Sequence, residues 1–238
     1  MKDNIESLNN LIAGLDLEAA LQAVSSKFST PKLSIGMGKE GQVLTDMIFR
    51  KKIDIEVFTL DTGRLFPETY ELIEKTTARY GRDIKVFYPN QDMTQELVQQ
   101  QGINGFYNSI QSRQNCCFVR KVEPLNRALK DADLWITGLR ADQSPNRSTM
   151  QIFEWDDVKG VMKFNPILKW TEGQVEAYIT KYNVPVNTLH NKGFTSIGCA
   201  PCTRAIELGE HPRAGRWWWE KSQKECGLHQ VNSQLVTA

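Results

Sequence analysis

The residues in this 238-residue chain best suited to chemistry are its five cysteines: Cys116, Cys117, Cys199, Cys202 and Cys226. Two are adjacent and two form a Cys-x-x-Cys pair, while Cys226 stands apart in Lys224-Glu225-Cys226-Gly227-Leu228-His229. In a reducing compartment such thiols serve as ligands or nucleophiles more often than as disulfides. Four plus one fits a tetrathiolate site with a separate reactive thiol. A Cys-x-x-Cys pair alone suits a redox motif or half a zinc site. Adjacent cysteines serve one tetrahedral ion poorly, because successive side chains on a helix diverge by about 100°. The separate iron corners of a [4Fe-4S] cluster accommodate them better, with zinc and plain structural thiols as the alternatives. At Cys226, Gly227 relaxes the backbone while Lys224 and His229 favour a thiolate. The plainer alternative there is a bystander thiol.

These residues need elements to hold them. Residues 8–28 carry Ala, Leu and Glu at helical spacing and end at Thr30-Pro31, predicting one helix. Residues 32–35 predict a buried strand leading into Gly36-Met37-Gly38-Lys39-Glu40-Gly41, and Val43, Leu44, Met47 and Ile48 mark a helix over 42–50. The unit recurs, with strands expected over 53–60, 84–88 and 134–137 and helices over 68–80 and 93–101. Such alternation predicts an α/β fold in which helices cover both faces of a parallel sheet. Ligands bind such sheets at the carboxyl ends of the strands, where these glycine turns fall. Residues 151–154 and 161–164 predict a hairpin or edge strands, and 171–181 a helix capped by Thr171. From 187 onward Gly, Pro, Cys, Arg and Trp dominate without periodicity, the mark of a segment held by a ligand or used for function. We expect one domain over 1–229, with an α/β core over about 30–185, an irregular segment over about 186–229 and a flexible tail over 230–238.

Taken in order, several motifs resemble the phosphoadenylyl- and adenylyl-sulfate reductase family, within the adenine-nucleotide α-hydrolase fold. They are the Ser34-x-Gly36 turn, Leu60-Asp61-Thr62-Gly63, Cys116-Cys117 with Arg120-Lys121, Gly138-Leu139-Arg140 and Ser144-x-x-Arg147. Cys199-x-x-Cys202, Arg213 with Arg216, and Glu225-Cys226-Gly227-Leu228-His229 complete the series. The resemblance implies a three-layer Rossmann-like fold and a [4Fe-4S] cluster on the four paired cysteines. It also implies the cluster-bearing, bacterial assimilatory branch, whose members act on adenylyl sulfate. This chain departs from the family's Ser-x-Gly-x-Glu-Asp turn by a longer glycine loop carrying Lys39 and Glu40. It also ends soon after His229, so a separate thioredoxin or glutaredoxin is the expected electron donor.

The mechanism so implied starts with attack of the Cys226 thiolate on the substrate's sulfur, expelling AMP and leaving an S-sulfocysteine, with His229 beside it. A thiol of the donor then releases sulfite. Lys121, Arg147, Arg213 and Arg216 are the candidate cations for a polyanionic substrate, since guanidinium forks match sulfate and phosphate oxygens; Arg140 belongs to the same binding set. Four residues beyond Cys117, Lys121 is expected to share its helix face. Ser34 and the N–H groups around Gly36 predict an anion nest, and Asp61, Thr62 and Gly63 are expected to line the same cleft. Gly38-Lys39 is no Walker loop, because Glu40 replaces its Ser or Thr. His190 and His211 receive no role. Trp217-Trp218-Trp219 cannot all face one core on a helix, so at least one is expected to meet a partner protein, a second subunit of a homo-oligomer or the C-terminal segment.

Composition narrows the alternatives. A formal charge of +1 gives no reason to expect nucleic acid or a membrane surface as partner. The polar N-terminus lacks the basic and apolar regions of a secretory leader, which makes cytoplasm the expected compartment. Rival readings are a phosphoadenylyl-sulfate reductase, a tRNA-thiolating nucleotide α-hydrolase and a non-catalytic binding module. The second calls for a Ser-Gly-Gly-x-Asp-Ser loop and a basic face, and the sequence has neither.

Overall fold

The computed structural model describes residues 4–143, 147 and 149–220. Its centre is a six-stranded sheet in the order β3-β2-β1-β4-β6-β5. The strands are β1 (Pro31–Ile35), β2 (Glu56–Leu60), β3 (Lys85–Phe87), β4 (Leu134–Thr137), β5 (Phe153–Asp156) and β6 (Val161–Phe164). All pairings are parallel except β5 with β6. Central parallel strands are covered on both faces, and β4 is buried at every residue.

Alternation along the strands divides the core. Leu33, Ile35, Val57, Leu134 and Ile136 pack on one face with Leu21 and Val24 of α2 (Leu17–Lys27), Val43, Leu44, Met47 and Ile48 of α3 (Lys39–Arg50), and Val175 of α8 (Glu172–Tyr182). Phe58 and Trp135 point the other way, onto Leu125, Ala128 and Leu129 of α7 (Glu123–Leu129). The result is the expected three-layer α/β fold. The remaining helices are α1 (Ile5–Ile12), α4 (Pro67–Tyr80), α5 (Gln91–Gln101) and α6 (Ile110–Cys117). Among the described residues no helix is long and apolar enough to cross a membrane.

The second strand starts at Glu56 instead of 53 and α3 at Lys39 instead of 42, and two further elements differ for visible local reasons. The single helix over 8–28 is two, because Gly14 takes φ +74° and Asp16 starts a new helix by accepting a hydrogen bond from Ala19 N at 2.8 Å. The edge strand begins at Phe153 instead of 151. Asn165 occupies the backbone there, donating from its N–H to Ile152 O and from Nδ2 to Gln151 O. The tryptophan run lies in a turn within the irregular stretch expected from 187 onward.

Thr171 caps α8 as expected and forms a capping box with Gln174. That helix packs on α3, ties Glu176 to Lys39, and brings Glu172 and Val175 to the cleft described below. Thr171→Ala is expected to cost about 1 kcal/mol, read as a lower urea midpoint at unchanged slope.

Candidate active site

A cleft of about 500 Å³ opens at the carboxyl ends of β1, β2 and β4. At one end lie Ser34, Gly36, Met37 and Gly38, where β1 turns into α3. Ser34 Oγ accepts a bond from Trp135 Nε1 at 2.8 Å, which leaves its hydrogen for a ligand. Gly138 lets β4's exit loop approach this turn, since a Cβ there would stand 3.2 Å from Glu40 Cβ and 3.3 Å from Gly41 N.

The loop after β4 is braced by charge. Arg140 donates from Nε to Glu40 at 2.9 Å and from Nη1 to Asp142 at 2.6 Å, and Gln143 Nε2 reaches the same Glu40 oxygen at 2.8 Å. Arg140 lines the cleft, buried and paired with these two carboxylates. Arg147 lines the cleft and donates to Gln143 Oε1 at 2.5 Å. Glu40, whose role the sequence leaves open, is thus the anchor of this brace, while Lys39 pairs with Glu176.

The loop after β2 serves the opposite wall. Thr62 lines the cleft, and its Oγ1 lies 3.3 Å from Cys199 Sγ. Asp61 organises the turn instead, accepting from Gly63 N and Tyr70 O–H, both at 2.8 Å. Burial and this carboxylate push the Tyr70 phenol up to about 12. Gly63 borders a neighbouring shallow cavity with Arg120, whose Nη1 donates to Thr62 O at 2.7 Å. Ala200 N donates to Arg64 O at 2.8 Å and fastens the Cys-x-x-Cys segment to the same loop.

Cys116 and Cys117 end α6, which runs through a π-helical turn (Phe118–Val122) directly into α7. Such turns insert one residue into a helix. Lys121 acts on the thiols of Cys116 and Cys202, whereas Cys117 takes a hydrogen bond from Arg113.

Cys116, Cys199 and Cys202 pack with Phe106, Trp217 and Trp219. Burial pushes the Cys202 thiol up to about 12, with Cys199 adding to the rise and Lys121 and Arg216 opposing it. Burial raises Cys116 too, against Arg120 and Lys121. Among the described residues no three His, Cys, Asp or Glu side chains already converge as a coordination sphere. The donor set nevertheless fits an iron–sulfur cluster. Its thiols are soft, three of them buried and Cys116 half-buried, cations stand ready to offset thiolate charge, and the buried Nε1 of Trp217 lacks any acceptor beside Cys199 and Cys202.

Lys121, Arg213 and Arg216 complete the cleft beside the thiols, and His190 and His211 also line it. His190 Nδ1 is 2.8 Å from Phe194 O, and burial lowers the ring's pKa. Of the tryptophans, Trp217 is 1 % exposed and Trp218 is 40 % exposed against Tyr107. Ser144, Cys226 and His229 lie outside the described residues. Sequence reasoning missed Arg113 and Glu220, which meet across the fold and carry no local signal.

The phosphoadenosine phosphosulfate reductase domain model matches residues 30–205. A relative from Allochromatium vinosum named adenosine 5'-phosphosulfate reductase is 49 % identical over 88 % of this chain and 82 % of its own. One of the same name from Burkholderia cepacia is 46 % identical over 90 % of this chain and 86 % of its own. The crystal structure of a phosphoadenylyl-sulfate reductase from Candida auris, in complex with phosphate, superposes with a TM-score of 0.73 at 28 % identity, covering 87 % of this chain and 98 % of that one. The chain belongs to the phosphoadenosine phosphosulfate reductase family.

Proposed function

We propose that this chain reduces adenylyl sulfate to sulfite and AMP in sulfate assimilation, with Cys226 as nucleophile and cytoplasmic thioredoxin or glutaredoxin as reductant. The carrying observation is one cleft with a Ser34–Gly38 nest at one end and Lys121, Arg213, Arg216 and the thiol wall at the other. Those poles suit a nucleotide whose second end is a sulfate anhydride.

In this reading the Cys226 thiolate bonds to the sulfate sulfur while the bond from that sulfur to the bridging oxygen breaks, and AMP leaves with the electron pair. A donor thiolate then attacks Cys226 Sγ. Sulfite departs with the pair from the S–S bond, and the donor's second thiol resolves the mixed disulfide. Two electrons pass from dithiol to sulfur, so no other reductant is needed. Cys116, Cys117, Cys199 and Cys202 would hold a 4Fe-4S cluster, which supplies a rigid frame and an electrostatic field beside the anion and not the electrons. Lys121, Arg147, Arg213 and Arg216 hold the anhydride, Ser34 and the Gly36 loop the nucleotide. His229 stabilises the thiolate.

The test is mass spectrometry of anaerobically purified protein given adenylyl sulfate without reductant. The expected result is a gain of about 80 Da, one SO₃, on the Cys226 peptide, removed by thioredoxin. An adduct with phosphoadenylyl sulfate alone would assign the sister substrate, and none with either would sink the reductase reading.

Gly198 offers a further check. A Cβ at this position would overlap the Arg216 guanidinium. Gly198→Ala is expected to raise KM for adenylyl sulfate about tenfold, the loss of roughly one charge-assisted contact, while iron content stays unchanged.

A further inference from the structure

Arg113 and Glu220 form an ion pair that is buried on both sides. Nε donates to Oε1 at 2.5 Å, and the side chains are 4 and 3 % exposed. Taking two charges out of water is hard to justify by stability alone, because apolar residues of similar volume often serve as well. Their surroundings suggest what the pair does.

Arg113 projects from α6, the helix that ends in Cys116 and Cys117. Its guanidinium lies 4.7 Å from the ring of Trp217, and Arg216 lies 4.7 Å from the same ring. Trp217 is fixed by its own N–H, which donates to Cys202 O at 3.1 Å, and by its carbonyl, which accepts from Glu220 N at 2.9 Å. Its φ of +43° is uncommon for a bulky residue, so the surroundings must impose it. With Glu220 committed to Arg113, no carboxylate among the described residues pairs with Arg216, whose buried Nε has no partner.

We propose that the Arg113–Glu220 pair positions Arg216 for the substrate's anionic end: it locks Trp217, the plate on which the Arg216 guanidinium rests against Gly198. The pair touches no substrate and acts through Arg216. A single carboxylate thus joins the helix of the paired thiols to the segment carrying the anion-binding arginine. The inference rests on the proposed function in one respect, that Arg216 meets adenylyl sulfate.

The experiment is a mutant cycle in full-length protein carrying Cys226→Ser, which blocks turnover, with adenylyl sulfate affinity measured by calorimetry and iron content and thermal midpoint recorded alongside. The variants are Arg216→Ala, the pair replacement Arg113→Met with Glu220→Leu, and all three changes together. Glu220→Gln, alone and with Arg216→Ala, repeats the cycle with little change of shape. Arg216→Ala and the pair replacement are each expected to weaken binding about tenfold, and together no more than Arg216→Ala alone, since effects through one residue do not add. Iron content is expected to hold in Arg216→Ala and Glu220→Gln, which keep the Arg113 bond to Cys117, and affinity of the pair replacement is read on its iron-replete fraction. Normal affinity after pair replacement in folded, iron-replete protein, or effects that multiply, would overturn the positioning role. If the pair replacement fails to fold, the Glu220→Gln cycle decides by the same criteria. Normal affinity in Arg216→Ala would instead remove the substrate contact on which the inference stands.

Discussion

Cys226→Ser is expected to abolish sulfite release, by at least about 10⁴-fold, while adenylyl sulfate still binds and the iron stays in place. Serine keeps the size of the side chain and removes the thiolate. At neutral pH its hydroxyl is a far poorer nucleophile than a thiolate. The cations proposed to hold the substrate come from other elements: Lys121 from the π-turn, Arg213 and Arg216 from the segment before 220. Binding and chemistry therefore separate. Calorimetry with AMP should show affinity within about threefold of the parent, while a sulfite assay falls to background and the 80 Da adduct disappears. A variant that retains substantial sulfite release would remove Cys226 from the mechanism, whatever the adduct experiment had shown.

What was legible in the sequence depended on how locally it was encoded. β4 (Leu134–Thr137) falls where the sequence places it, because four buried residues lie between Asp133 and Gly138 and nothing distant competes for them. The Ser34 turn and the Thr171 cap are local for the same reason. The break at Gly14 was hidden by apolar residues that keep helical spacing on both sides. The π-turn after Cys117 was hidden because one inserted residue leaves the periodicity of so short a segment unreadable. The sequence puts Arg140 in the binding set without showing that Glu40, from a helix some hundred positions away, braces it at the wall of the cleft. Lys121, Arg147, Arg213 and Arg216 do reach the cleft, because the family's motifs carry the tertiary constraint that periodicity cannot. Arg113 and Glu220 belong to neither kind of signal, and they emerged only once the fold brought them together.

Cys202→Ser is expected to produce the largest structural loss. Residues 193–220 hold no α-helix and no strand, only a short 3₁₀ turn (Ala200–Cys202) and one isolated bridge between Thr203 and Arg216. A segment so poor in ladder bonds takes its order from whatever its side chains bind. Cys202 is central to it: the thiol is 7 % exposed, and its carbonyl receives Trp217 N. Serine at this position keeps the volume but offers a poor ligand to iron. Iron per chain should fall severalfold, and hydrogen-exchange protection over 193–220 should drop by roughly a thousandfold, equivalent to about 4 kcal/mol of local stability. Protection in β1 and β4 should persist, since their cores are built from Leu33, Leu134 and Ile136 and do not include the thiols. Substrate affinity should fall with the segment, because Arg213 and Arg216 ride on it. Metal analysis of the parent protein gives the same experiment a second edge. Zinc in place of iron would assign the thiols to a single-ion site, and full metal content with unchanged protection in the variant would remove Cys202 from the ligand set.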